Sequence, residues 1–264
     1  MPGKDNRLNI VLQERDMHLL RELATMRVID REQAKLVAGF GSTTRVNLRL
    51  LKLRRRHLLR RFFLGTVAGG QRAIYALSQK GARVADLPYR GISRRDAEEV
   101  LVADFWVQHQ LRVNDLYCRL KYQAIPFAGV SFARWMAFTE PVAQGLSLIP
   151  DGYVELATPS GTVASFLEVD LGTEPLRIWR EKVESYLQFA RRREHERLLG
   201  QDEFGVAVVA HSEKRAESIR QTVAKQIDRI FWFTDFTAIQ RDDFFGRVWL
   251  RPTGDARHAF LPTL

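Results

Sequence analysis

A single cysteine, Cys118, leaves no partner for an internal disulfide and no thiolate set for zinc. Its expected place is a buried position on a helix. No run reaches the ~18 to 20 consecutive apolar residues of a membrane helix. The opening "MPGKDNRLNIVLQERDMHLL" carries charges where a signal peptide needs an apolar core. The expectation is a cytoplasmic protein with no membrane partner. P-loop, Ser–His–Asp and HExxH patterns are all missing. So are the paired tyrosines or clustered histidines with which a relaxase nicks DNA through a covalent tyrosine.

Charge is present but unevenly spread. The net charge is +10 over 264 residues. Residues 1–90 hold 19 Lys and Arg against 7 Asp and Glu, a balance of +12. The remainder holds 22 against 24, a balance of −2. A basic segment beside a neutral one is the electrostatic footprint of a nucleic-acid domain. The alternative is a solubilising surface, which the clustering of the basic residues disfavours.

The basic third reads as three helices and a hairpin. "LQERDMHLLRELATM" spaces its apolar residues for one helix face. Asp30 followed by Gln33 is a capping-box signature and starts a second, short helix. Gly39 and Gly41 end it. Ser42 caps a third helix with an apolar stripe at Val46, Leu50 and Leu53. "LLRRFFL" and "RAIYALS" are β-prone runs around the Gly-rich "GTVAGGQ", and "LSQKGARVAD" reads as a following helix. This is winged helix-turn-helix order, with the third helix expected in the major groove of double-stranded DNA. Thr43, Thr44, Arg45 and Asn47 are the candidate base readers. Arg49, Lys52, Arg55 and Arg56 follow on the same helix, and Arg60, Arg61 and Arg72 are candidate phosphate contacts of the wing.

Residues 93–123 read as one long helix, with Val100, Leu101, Phe105, Val107, Leu111 and Leu116 apolar. Two strands then follow, "GLSLIPDGYVEL" and "TVASFLEVDL", separated by turn residues. Two registers are open. In one Asp151 faces Glu168; in the other it faces Asp170. Alternation puts Glu168 and Asp170 on one face, so either register sets two acids about 4.5 to 5.5 Å apart at Cβ. Such a pair is unfavourable in a half-buried sheet unless a hard cation such as Mg²⁺ or a basic side chain joins it. Lys182, at the edge of the buried face of the amphipathic helix "EPLRIWREKVESYLQFARR", is the available base. It would polarise a water or simply neutralise an acid. His109 and His195 have no ligand partner at helical spacing, and each is expected at the surface or at a helix cap. "RRREHER" reads as a solvated helix face. "IFWFTDF" reads as a core strand.

"IPDGYVEL", then "FLEVDLGTEP", then "KVESY" resembles the bacterial replication-relaxation family. "HQLRVNDLYCRL" is similar to the helix that precedes the family's core, and "FGVAVVAHSEKRAESI", "IFWFTDF" and "VWLRP" fit its closing order. The resemblance implies a winged helix (1–90) joined to a PD-(D/E)xK nuclease-like α/β sheet (91–264), an α+β chain of two domains. It also implies the DNA biology of plasmids and other mobile elements. Asp151 matches the first metal acid and Glu168 the second, with Asp115 a third from the preceding helix. The family pattern places Lys two residues after the second acid, where this chain has Asp170. Lys182 is the candidate replacement, which makes the candidate catalytic site Asp151, Glu168 and Lys182 with Asp170 and Asp115 as outer members. The cofactor implied is Mg²⁺ or Mn²⁺, should the site be active. The candidate partners are double-stranded DNA, a second copy of the chain, and relaxosome or replication proteins. The competing reading is a non-enzymatic regulator whose second domain dimerises. A third is an adaptor whose basic face binds acidic proteins.

Overall fold

The computed structural model describes residues 11–65, 70–89, 101–102 and 105–261, the backbone alone at 101–102. The chain divides into two compact units, Met1–Tyr122 and Gln123–Leu264. Both mix helices and strands, so the α+β class expected from the sequence holds.

The first unit runs α1 (Glu14–Met26), β1 (Val28–Asp30), α2 (Arg31–Val37), α3 (Thr43–Arg55), β2 (Leu59–Gly65), β3 (Gln71–Leu77), α4 (Gln79–Val84), β4 (Leu101–Val102) and α5 (Phe105–Tyr122). Its sheet has the order β1-β3-β2-β4. The capping box forms: Asp30 Oδ1 accepts from Gln33 N at 2.8 Å, and Asp30 N donates to Gln33 Oε1. Ser42 Oγ accepts from Arg45 N and starts α3, whose Val46, Leu50 and Leu53 are fully buried. Gly81 is required by close approach, because a Cβ there would lie 2.1 Å from Leu58 O. The tip of the expected hairpin turn, 66–69, lies outside the described residues.

The single long helix expected over 93–123 does not form as such. Residues 90–100 and 103–104 lie outside the described residues, Leu101–Val102 pair with β2 as a parallel strand, and the helix starts at Phe105. That helix, α5, belongs to the first unit rather than to a domain starting at 91. The reason is polar as well as apolar. Asn114 Nδ2 donates to Met26 O and Val28 O, and Gln33 Nε2 donates to Leu111 O, closing the backbone groups around β1. Cys118 is buried on this helix, as expected. The longest helix here still falls short of a membrane span: among the described residues no helix is long and apolar enough to cross.

The second unit runs β5 (Ser131–Met136), β6 (Gly152–Thr158), β7 (Gly161–Asp170), α6 (Leu176–Arg191), α7 (Glu194–Leu199), β8 (Gly205–Ala210), α8 (Glu213–Ala224), β9 (Phe231–Asp235) and α9 (Phe236–Asp242). Its sheet has the order β5-β6-β7-β8-β9, antiparallel up to β7 and parallel beyond. Thr158 faces Gly161 in the β6–β7 hairpin. One face of the sheet packs Phe166, Val208 and Phe233 against Trp179, Val183, Tyr186 and Phe189 of α6. Phe231 and Phe233 are core residues, in line with the strand reading. His195 is not at the surface. It is buried on α7 against the rings of Phe189 and Phe204, and its Nε2 lies 3.1 Å from Asp202 O. The register of charges in "RRREHER" hides one inward position.

Candidate basic face and carboxylate site

In the first unit α3 separates its residues by side. Val46, Leu50 and Leu53 go inward, while Thr44, Arg45, Asn47, Leu48, Lys52 and Arg55 are exposed. Thr43 is half-buried in the first turn. Two of the candidate contacts are turned to other work. Arg49 forms a two-pronged ion pair with the buried Asp16 and donates to Val11 O. Arg72 pairs with Asp30, the α2 cap. Arg60 and Arg61 lie over the rings of Phe62 and Phe63, at 4.8 and 5.1 Å from the centroids. Arg56 is half-buried just past α3. Asp115 also lies in this unit. It accepts from Gln33 Nε2 at 2.7 Å and from Arg112 at 3.3 Å, both residues of the first unit.

The second unit gathers the other acids. The β6–β7 register puts Asp151, one residue before β6, opposite Glu168. Asp151 Oδ2 accepts from Val169 N at 2.7 Å. Glu168 is fully buried, and both of its oxygens are engaged. Tyr186 donates its hydroxyl to Oε1 at 2.6 Å, and Lys182 Nζ donates to Oε2 at 2.9 Å. Lys182 also lies 3.1 Å from Glu174 Oε2, an ion pair that lacks hydrogen-bond geometry. One turn of α6 thus presents Lys182 and Tyr186 together, because residues four apart share a helix face. Tyr186 and Glu174 were not assigned these roles from sequence; only the i, i+4 spacing from Lys182 signals the tyrosine.

Asp170, on the same face two residues on, is in a different state. Gly172 N and Arg215 Nε donate to Oδ1, each at 2.7 Å, and Trp179 Nε1 and Arg215 Nη2 donate to Oδ2 at 2.9 and 2.8 Å. Four donors fill the roughly four lone-pair positions of a carboxylate. Asp170 therefore fastens α6 and α8 to the end of β7. Arg215 also donates to Glu174 O. Nothing in the sequence pattern marks Arg215 for this.

The electrostatics of the two acids differ in sign. Burial pushes the Glu168 carboxyl up; Lys182 opposes this, and the charge of Asp151 adds to it, leaving the carboxyl above its ordinary 4.5. For Asp170 burial also pushes up, but Arg215, Trp179 and the Gly172 N–H outweigh it and the carboxyl falls below its ordinary 3.8. Burial works against the Lys182 ammonium, yet Glu168, Asp151 and Glu174 hold it well above its ordinary 10.5. Burial and Glu168 push the Tyr186 phenol well above 10.0. At neutral pH the site therefore holds a protonated lysine and a protonated tyrosine on one acid. Among the described residues no group of three or more His, Cys, Asp and Glu is arranged to hold a metal ion.

A family model described as replication-relaxation matches residues 20–201. The match covers well over half of the chain and includes α3, Asp151, Glu168, Asp170 and Lys182, so the chain belongs to the replication-relaxation family. Membership associates it with the replication and relaxation of mobile elements. Neither the curated proteins nor the solved structures yield a match to the chain.

Proposed function

We propose that this chain binds double-stranded DNA of a plasmid or other mobile element and acts in its replication, relaxation or transfer. In this reading the first unit is a winged helix-turn-helix: α1, α2 and α3 followed by the β2–β3 hairpin. The observation that carries it is the exposed side of α3, where Thr44, Arg45, Asn47, Lys52 and Arg55 stand clear of the core. Hydrogen-bonding side chains near a helix start suit base edges, and cations further along suit phosphates. Arg60 and Arg61 on β2 extend the cationic surface. Arg49 and Arg72 hold the fold that presents it.

The second unit is read as nuclease-like, with Asp151 and Glu168 as acids for Mg²⁺ or Mn²⁺ and Lys182 beside them. Asp151 and Glu168 stand opposite each other across β6 and β7, the pair of carboxylates on which this reading places a cation that keeps several waters. A bound ion would supply activation of water for phosphodiester hydrolysis. Tyr186 orients Glu168, and the Lys182 ammonium offers a donor to a phosphate oxygen. Asp170 and Asp115 act as structural partners. The setting is the cytoplasm, with replication or relaxosome proteins and a second copy as partners.

A second reading, the non-cleaving regulator whose second unit dimerises, draws on one observation: Lys182 already neutralises Glu168. Supercoiled and linear DNA incubated with Mg²⁺ or Mn²⁺ separate the two. Cutting by the wild type, lost in Asp151→Ala/Glu168→Ala, supports the nuclease. Binding without cutting by either protein leaves the regulator.

A further inference from the structure

The second unit has a cavity of about 560 Å³ beside the starts of β7, β8 and β9, while the carboxylates lie at the far end of β7. Phe204, Trp232 and Phe260 supply aromatic walls, and Ser165 and Gly205 line it where the strands begin. Arg251 lies over the Trp232 ring, 4.2 Å from the centroid. Its guanidinium is half-buried, and among the described residues it has neither a carboxylate within ion-pair distance nor a hydrogen-bond acceptor. Asp228, the acid that acts on it from further off, lies 3.7 Å from Arg229 instead. His195, nine-tenths buried on the cavity wall, leaves its Nδ1 without a partner.

This combination differs from ordinary surface arginine. A guanidinium lying over an indole is held there by cation–π attraction, and its N–H fork matches two oxygens of a phosphate. Flat apolar walls beside it take a base by stacking, as single-strand binders do. Arg229 adds a second cation at the rim, and the exposed Glu203 carboxylate offers an acceptor for base N–H groups. The acids at the rim disfavour a continuous run of duplex phosphates. We propose that this cavity binds a single nucleotide, base and phosphate together, supplied by an unpaired strand or by a free nucleotide. The inference does not rest on the duplex-binding or nuclease reading, since it uses neither α3 nor the carboxylates.

Calorimetric titration of the full chain tests it with dAMP, a 5′-phosphorylated oligo-dA strand, deoxyadenosine and inorganic phosphate. The expected result is saturable binding of dAMP, and of the strand to the extent that Arg251→Gln weakens it. Deoxyadenosine and phosphate alone should each bind on the order of tenfold or more weakly, because stacking and charge each supply part of the affinity. Arg251→Gln should weaken dAMP binding by on the order of tenfold, and Arg251→Lys by less, because the lysine keeps the charge and loses the fork. Strand binding that exceeds dAMP binding and falls with Arg251→Gln assigns the source to unpaired DNA, and tighter binding of dAMP assigns it to a free nucleotide. Equal binding of phosphate and dAMP would overturn the proposal. So would wild-type affinity in both Arg251→Gln and Trp232→Phe with folding verified by circular dichroism, or no binding of dAMP and strand.

Discussion

The exposed side of α3 and the end of β7 handle charge in opposite ways. On α3, Arg45, Lys52 and Arg55 stay in water, where each cation is well solvated and available to a partner. At the end of β7, Glu168 and Asp170 are withdrawn from solvent and must be satisfied by side chains of the same unit. The lesson is that charge kept on the surface is spare for binding, while charge taken inside is committed to structure or to chemistry. Arg49 and Arg72 show the same rule within the basic unit: both come from the arginine-rich segment, yet both answer a buried aspartate.

The largest expected effect breaks the inner half of this comparison. Lys182→Met leaves Glu168 buried beside Asp151 without its cation, and removing one partner of a buried ion pair destabilises by about 3–5 kcal/mol. Chemical denaturation of Lys182→Met, of Glu168→Gln and of the double variant measures this, and the double variant should recover part of the loss. Asp170→Asn comes next, at about 2–4 kcal/mol, since it strips charge from a carboxylate that meets Arg215 from inside the fold.

Acid titration of stability sharpens the difference between these two carboxylates. Asp170 is depressed below 3.8, so its contribution is present above that value and is lost as pH falls through the folded one. Glu168 is raised above 4.5, so the folded state keeps that proton longer and stability falls as pH rises from 4.5 to the folded value. Asp170→Asn should therefore flatten the acid limb, and Glu168→Gln should remove the fall above it. Slopes of the same sign in both variants would defeat the distinction.

Smaller effects test the outer half. Arg49→Ala strands the buried Asp16 and should cost about 1–3 kcal/mol, whereas Arg45→Ala should stay within about 0.5 kcal/mol in stability. Ser42→Ala removes the α3 cap and should cost about 1 kcal/mol. Thermal melts of the three variants rank them.

Much of this was legible in the sequence where the physics is local. The Asp30–Gln33 box, the Ser42 cap, the stripe of α3 and the alternation that pairs Asp151 with an acid all follow from short-range periodicity. Lys182 could be placed near the sheet because helical spacing fixes its side. What escaped depends on long-range closure. Residues 101–102 look helical by composition, yet their backbone pairs with β2. The allegiance of α5 is decided by Asn114 and Gln33, whose partners are remote in sequence. The Arg215–Asp170 clamp spans 45 residues, and no periodicity announces it.

The salt dependence of duplex binding tests the central claim most directly. A labelled duplex from the chain's own genetic neighbourhood would be titrated with wild type and Lys52→Ala/Arg55→Ala from low to moderate salt. Losing two phosphate contacts should weaken binding and make the log–log salt slope shallower by about 2. An unchanged affinity and slope in the double variant would contradict the assignment of α3 as the DNA-binding face.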